Sequence, residues 1–187
     1  MIGKEVKDAI EEWTIWAVNS EVPRYDIALL KIWIKFERFL SDLFITYSLG
    51  QPSETGYLPK LRIQFQSEEQ FNAFMIEGNK KYIEYIDKID KLSKHIFEND
   101  PFDILHSDLK YKNAMEEIKA LRNYIAHESI EAKRKVINTC FSGSEKKFLE
   151  PNDYLKSKEK NTKDSYYTYY TSCVSEIIEL ITNQLDV

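Results

Sequence analysis

The residues best suited to chemistry are Arg122 and His127, which close the hexapeptide Arg122-Asn123-Tyr124-Ile125-Ala126-His127 inside the run ALRNYIAHESIEAKRKV. An arginine keeps its charge at any physiological pH, whereas an imidazole titrates near neutrality. Together they suit phosphate chemistry: the guanidinium neutralises phosphoryl oxygens and the imidazole moves protons. The simpler alternative is an Arg122 paired with an acid such as Glu117 or Glu128 and a His127 that is merely polar at a bend. The spacing alone favours this simpler alternative.

The helix that carries the pair constrains both. At about 100° per residue, Ala114, Ile118, Leu121 and Ile125 form one apolar face, with Arg122 on its shoulder about 65° away. His127 falls about 140° from Arg122 on a straight continuation. The next apolar set, Ile130, Val136, Ile137, Cys140 and Phe141, is rotated by roughly 100° from the first. A break near His127 is therefore expected, with Glu128 or Ser129 helping to restart the helix. Such a break could bring His127 toward Arg122 or aim both across an interface.

Other elements follow from the same periodicity. Val6, Ile10, Trp13 and Ala17 mark a helix over 4–18, and Pro23 suits the first turn of the next. That second helix, about 23–48, has the seam Leu29, Trp33, Phe36, Leu40, Leu43 and Tyr47, with Leu30, Ile32, Ile34, Phe39 and Phe44 outside it. A helix apolar on more than one side is either a central core helix or one that lends a side to a second copy. Gly50–Pro59 reads as a loop, and SEEQFNAFMI as a helix with an irregular approach through LRIQFQ. Helices are expected over 79–97, from near Asp108 into the motif, and over 164–187, the last burying Tyr170, Cys173, Val174, Ile177, Leu180 and Ile181. Residues 142–163 read as an exposed lysine-rich loop. Tyr166, Tyr167, Tyr169 and Tyr170 are assigned to packing ahead of base stacking. The sum is one all-α domain over 1–187, a bundle of about five to seven helices.

Composition narrows the function classes. A net charge of −5 argues against a general nucleic-acid coat or a membrane-surface protein, but leaves room for a local basic site such as Lys133-Arg134-Lys135. Two cysteines, Cys140 and Cys173, lack metal spacing and are too few for a disulfide framework, so a reducing, cytoplasmic setting is expected. No signal-peptide core or membrane-length apolar run is visible. His106, Asp103 and Asp108 lack a recognised metal spacing, and no cofactor motif is present.

The run LRNYIAHES resembles the signature of the HEPN superfamily, Arg-x4-His with a polar residue after the arginine, a slot that Asn123 fills. The helix ALLKIWIKFERFLSDLF is similar to the long early helix of the HEPN group of defence and stress loci (the RiboL-PSP-HEPN group), where an acid lies within an aromatic-rich stretch. This resemblance implies an HEPN-like bundle whose homodimer joins two Arg/His pairs in one cleft, acting as a metal-independent endoribonuclease of a toxin–antitoxin or antiviral-defence system. It further implies His127 as general acid or base and Arg122 as stabiliser of the phosphorane. Asn123 would orient the phosphate or the histidine, and the product would be a 2′,3′-cyclic phosphate. Glu37 and Asp42 become candidates for orienting the cleft, and Lys133, Arg134 and Lys135 for holding the RNA backbone. A cognate antitoxin or defence-system partner is implied too. Ser129 stands where members modified by a nucleotidyltransferase antitoxin carry tyrosine, which puts regulation by that route in doubt. The alternative is a non-catalytic module of the same kind that binds RNA, a nucleotide or a partner protein; a third reading is a plain helical scaffold.

Overall fold

The computed structural model describes residues 2–21, 23–75, 86–160 and 162–183. Among them the chain is all-helical: α1 (Ile2–Asn19), α2 (Tyr25–Ser48), α3 (Glu68–Met75), α4 (Ile86–Ile96), α5 (Ile104–Ser107), α6 (Leu109–His127), α7 (Ile130–Cys140), α8 (Pro151–Lys156) and α9 (Tyr166–Thr182), with a 3₁₀ turn at Glu145–Lys147. There are more helices than the five to seven expected because two of the segments between long helices, 104–107 and 151–156, each close a short helix. Periodicity cannot register elements of one or two turns. The first part of the expected 79–97 helix lies outside the described residues.

α2 is the core of the bundle and packs against α1, α3, α4, α6, α8 and α9. Its whole expected seam is buried, and so are Ile32, Phe39 and Phe44. Phe44 sits edge-on to Phe71, Phe97 and Phe102 at centroid distances of 5.8, 5.9 and 5.6 Å, the geometry that ring quadrupoles favour. One flank is left to solvent: Ile34 stays 48% exposed. The helix therefore serves the core and turns one large apolar side chain, Ile34, outward among Lys31, Lys35 and Arg38.

Residues 142–163 are not the open loop their lysines suggest. Pro151 opens α8, a favoured place for proline, and Pro151, Tyr154, Leu155 and Glu159 are buried. Tyr154 stacks on Tyr166 at 4.3 Å and shares a 3.1 Å hydrogen bond with the Tyr170 hydroxyl. Tyr170 in turn donates to Glu117 on α6 at 2.8 Å. The tyrosines of α9 thus pack, Tyr166, Tyr167 and Tyr170 being buried. Leu180, expected in the buried stripe, is 41% exposed. Both cysteines are free and buried; burial pushes the Cys140 thiol up to about 12 and that of Cys173 up to about 11. No described helix is long and apolar enough to cross a membrane.

Candidate functional site at the end of α6

α6 begins on Asp108, whose side chain accepts from Lys110 N at 2.7 Å and caps the first turn. Ala114, Ile118 and Leu121 are buried, which fixes the rotation of the helix and sets Arg122 at the junction with α2. There Arg122 Nη1 donates to Asn123 Oδ1 at 2.9 Å, while Nη2 lies a loose 3.5 Å from Glu37 Oε2. Both side chains are half-buried, 30% and 24% exposed. The acid that pairs with Arg122 is thus Glu37, not Glu117 or Glu128, a contact across 85 positions that no local spacing announces. Arg122 Nε is buried without a hydrogen-bond partner.

Glu37 is shaped by the same junction. Burial raises its carboxyl above the usual range, against the pull of Arg122, the Trp33 indole and Lys119 toward ionisation. Trp33 is 1% exposed, and its N–H faces the Glu37 carboxyl from one turn earlier on α2. Asp42, the other acid of α2, is not part of this cluster. It is also raised by burial, and its charged neighbours are Arg38, Glu5 and Glu68, on a different flank of the helix.

The expected break is present. Glu128 adopts the left-handed conformation (φ 49°, ψ 26°) and its N–H donates to Tyr124 O at 2.8 Å, ending α6. Ser129 then caps α7, its hydroxyl accepting from Ala132 N at 3.1 Å. The break falls after His127, however, so the histidine remains on α6 and keeps its phase of about 140° from Arg122. The bend does not swing the imidazole toward the guanidinium. Asn123 is the link between them: it lies about 40° from His127, one turn earlier on the exposed face, and its amide holds Arg122. His127 is exposed and makes no hydrogen bond among the described residues.

Beyond the bend, Ile130 is 77% exposed where a buried place was expected. It is the first residue of α7, on the side that carries Arg134. Arg134 and Lys135 are exposed; Lys133 is engaged, its Nζ 4.2 Å from the Phe148 ring centroid and 3.6 Å from Glu150. A polar depression of about 280 Å³ abuts the bend, between Arg24 and Ile27, Tyr124 and Glu128, and Glu150 and Asn152. Sequence reading missed it because three distant stretches build it. Trp33 was read only as core, and its N–H gives no sequence signal at all.

His106 lies on α5, its Nε2 3.2 Å from Asp90 on α4, and among the described residues no group of three or more His, Cys, Asp or Glu could hold a metal ion. The chain matches no protein-family model, no curated protein and no solved structure. The functional case therefore stands on the residues and their geometry.

Proposed function

We propose that the chain is a metal-independent endoribonuclease of the HEPN kind, acting as a homodimer in a toxin–antitoxin or antiviral-defence system. The observation that carries this reading is the state of Arg122. Its guanidinium is fixed at one corner by Asn123, meets Glu37 only loosely and is still 30% exposed, which leaves N–H donors for a ligand. A phosphodiester accepting from those donors in one copy would meet an imidazole across the cleft shared with the second copy. The ribose 2′-oxygen attacks phosphorus, its proton passes to a neutral His127, and the bond to the 5′-oxygen breaks as that oxygen is protonated. A 2′,3′-cyclic phosphate and a 5′-hydroxyl result. In a two-copy cleft the second imidazole, in its protonated form, supplies the last proton, and Arg122 stabilises the phosphorane. Ile34 on α2 and Ile130 on α7 offer exposed apolar surface for the contact between copies.

The test is growth arrest on expression together with cleavage of total RNA in EDTA. Arg122→Ala and His127→Ala should each lower cleavage by about 100-fold or more, and Arg122→Lys should not restore it, because a lysine lacks the planar fork. Metal-dependent cleavage sinks the mechanism. Binding of RNA without any cleavage favours the non-catalytic module, a reading that the absence of a described partner to orient His127 supports.

A further inference from the structure

Where the start of α1, the later half of α2 and the end of α9 meet residues 52–55, they leave a partly open recess of about 260 Å³. Phe39 and Leu43 from α2 and Ile178 from α9 form its apolar floor. Gly3 brings bare backbone down onto that floor: a Cβ there would stand 3.3 Å from Ile178 Cγ2 and 3.7 Å from Phe39 Cε2. The hydroxyls around the recess are committed. Ser53 and Thr55 donate to Thr182 O, Thr46 to Asp42 O and Thr182 to Ile178 O. Donors with capacity to spare are the ammonium groups of Lys4 and Lys7, one turn apart on α1 and both on the wall. Each spends one N–H on an acid that does not line the recess, Asp8 at 2.7 Å and Glu179 at 2.8 Å. Both pairs are largely exposed and therefore weak.

We propose that this recess binds a small aryl carboxylate, its ring on Phe39, Leu43 and Ile178 and its carboxylate held by Lys4 and Lys7. A concave apolar floor with a few convergent polar groups at the rim is the usual form of a small-molecule site. The size selects a small ligand: an apolar cavity of about 150 Å³ takes up benzene, so this one has room for a ring and a short side chain. The floor favours an aromatic body, because a ring packed on Phe39 gains beyond the area it buries. Charge selects a monoanion. Among the described residues that line the recess, Lys4 and Lys7 face one acid, Glu54, which leaves a single positive charge to be matched. Phe39, Leu43 and Thr46 lie about 180–240° round α2 from Glu37, the residue that meets Arg122. The recess is thus separate from the face that carries the Arg122 motif, and the inference does not rest on the nuclease reading.

The experiment titrates the full chain with three probes at constant ionic strength and follows its backbone amide resonances by NMR. The probes are phenylacetate, its neutral counterpart phenylacetamide, and hexanoate, which keeps the charge without the ring. Phenylacetate should shift the amides of Gly3, Thr46 and Ser53 and bind about tenfold more tightly than either of the others. Replacing both lysines, Lys4→Gln with Lys7→Gln, should bring phenylacetate down to the affinity of phenylacetamide and leave phenylacetamide unchanged. Thr46→Leu puts extra carbon into the recess. It should weaken phenylacetate by about tenfold while the melting temperature stays level or rises, as a filled cavity requires. Equal binding of phenylacetate and phenylacetamide makes the recess an apolar hollow without anion recognition and overturns the proposal. Tighter binding of hexanoate makes the occupant an acyl chain and overturns the aryl assignment. Absence of shifts with every probe, or shifts that Thr46→Leu leaves untouched, removes the site altogether. The lysine variant changes only exposed side chains and decides the matter should Thr46→Leu fail to fold.

Discussion

Glu117 shows how a single carboxylate on α6 can weigh on the whole bundle. It accepts from Tyr170 and is raised by burial, the largest influence, against the pull of that hydrogen bond and of Lys160. A carboxyl with a raised folded pKa binds its proton more tightly in the native state than in the unfolded one. Its contribution is therefore fully present below the unfolded pKa and is lost as pH rises through the folded one. Glu117→Gln keeps an acceptor for Tyr170 and has no charge to desolvate. It should raise the melting temperature at neutral pH by roughly 2–4 °C and flatten the melting-temperature profile over the acid side of neutrality. An unchanged profile would mean that Glu117 is solvated well enough to ionise freely. Arg122 differs in its surroundings: both residues lie on the flanks of one helix, but Glu117 is enclosed by tyrosines and Arg122 keeps an open fork.

At the scale of elements, the break after His127 rests on two residues with separable contributions. Ser129→Ala removes the cap of α7 and should cost about 1 kcal/mol. Glu128→Gly relieves a left-handed residue and should stabilise by a few tenths to about 1 kcal/mol. Denaturant midpoints check both, and a Ser129→Ala variant as stable as wild type would mean that packing alone sets the start of α7. This bend was legible in the sequence as a phase change between two apolar faces, one side of which proved exposed at Ile130. The long helices were legible for the same reason: α2 buries the seam its spacing describes. The Arg122–Glu37 pair and the depression at Tyr124 and Glu150 were not, because each depends on how α2, α6 and α8 cross. Helix α8 was hidden by the lysines on either side of it. Six residues with three apolar anchors look polar when read along the chain, yet Leu155 is 0% exposed.

The whole molecule carries its charge unevenly. Residues 133–163 hold nine basic and four acidic side chains, an excess of five positive charges in a chain whose total is −5. The 3₁₀ turn runs back beside α7, since Phe148 packs on both Tyr124 and Phe141, so Lys146 and Lys147 lie on the same side of the molecule as the bend. A local basic surface on an acidic body draws a polyanion to one side and repels it elsewhere. Charge reversal at Arg134, Lys146 and Lys147 should weaken RNA binding across sequences. It should also make the salt dependence shallower, by close to one unit of log–log slope for each phosphate that the variant no longer neutralises. Titrations at several salt concentrations read this directly. A slope equal to that of wild type would place the RNA on another face.

The enclosure of Cys140 and Cys173 has a kinetic consequence. With both thiols pushed far above neutrality, almost no thiolate exists in the native protein, and the thiolate is the form that reacts. Oxidants and alkylating reagents must wait for α7 or α9 to come away from the core. One cysteine on each helix makes the chain a clock with two hands: the modification rate of each reports how often its own helix leaves the bundle.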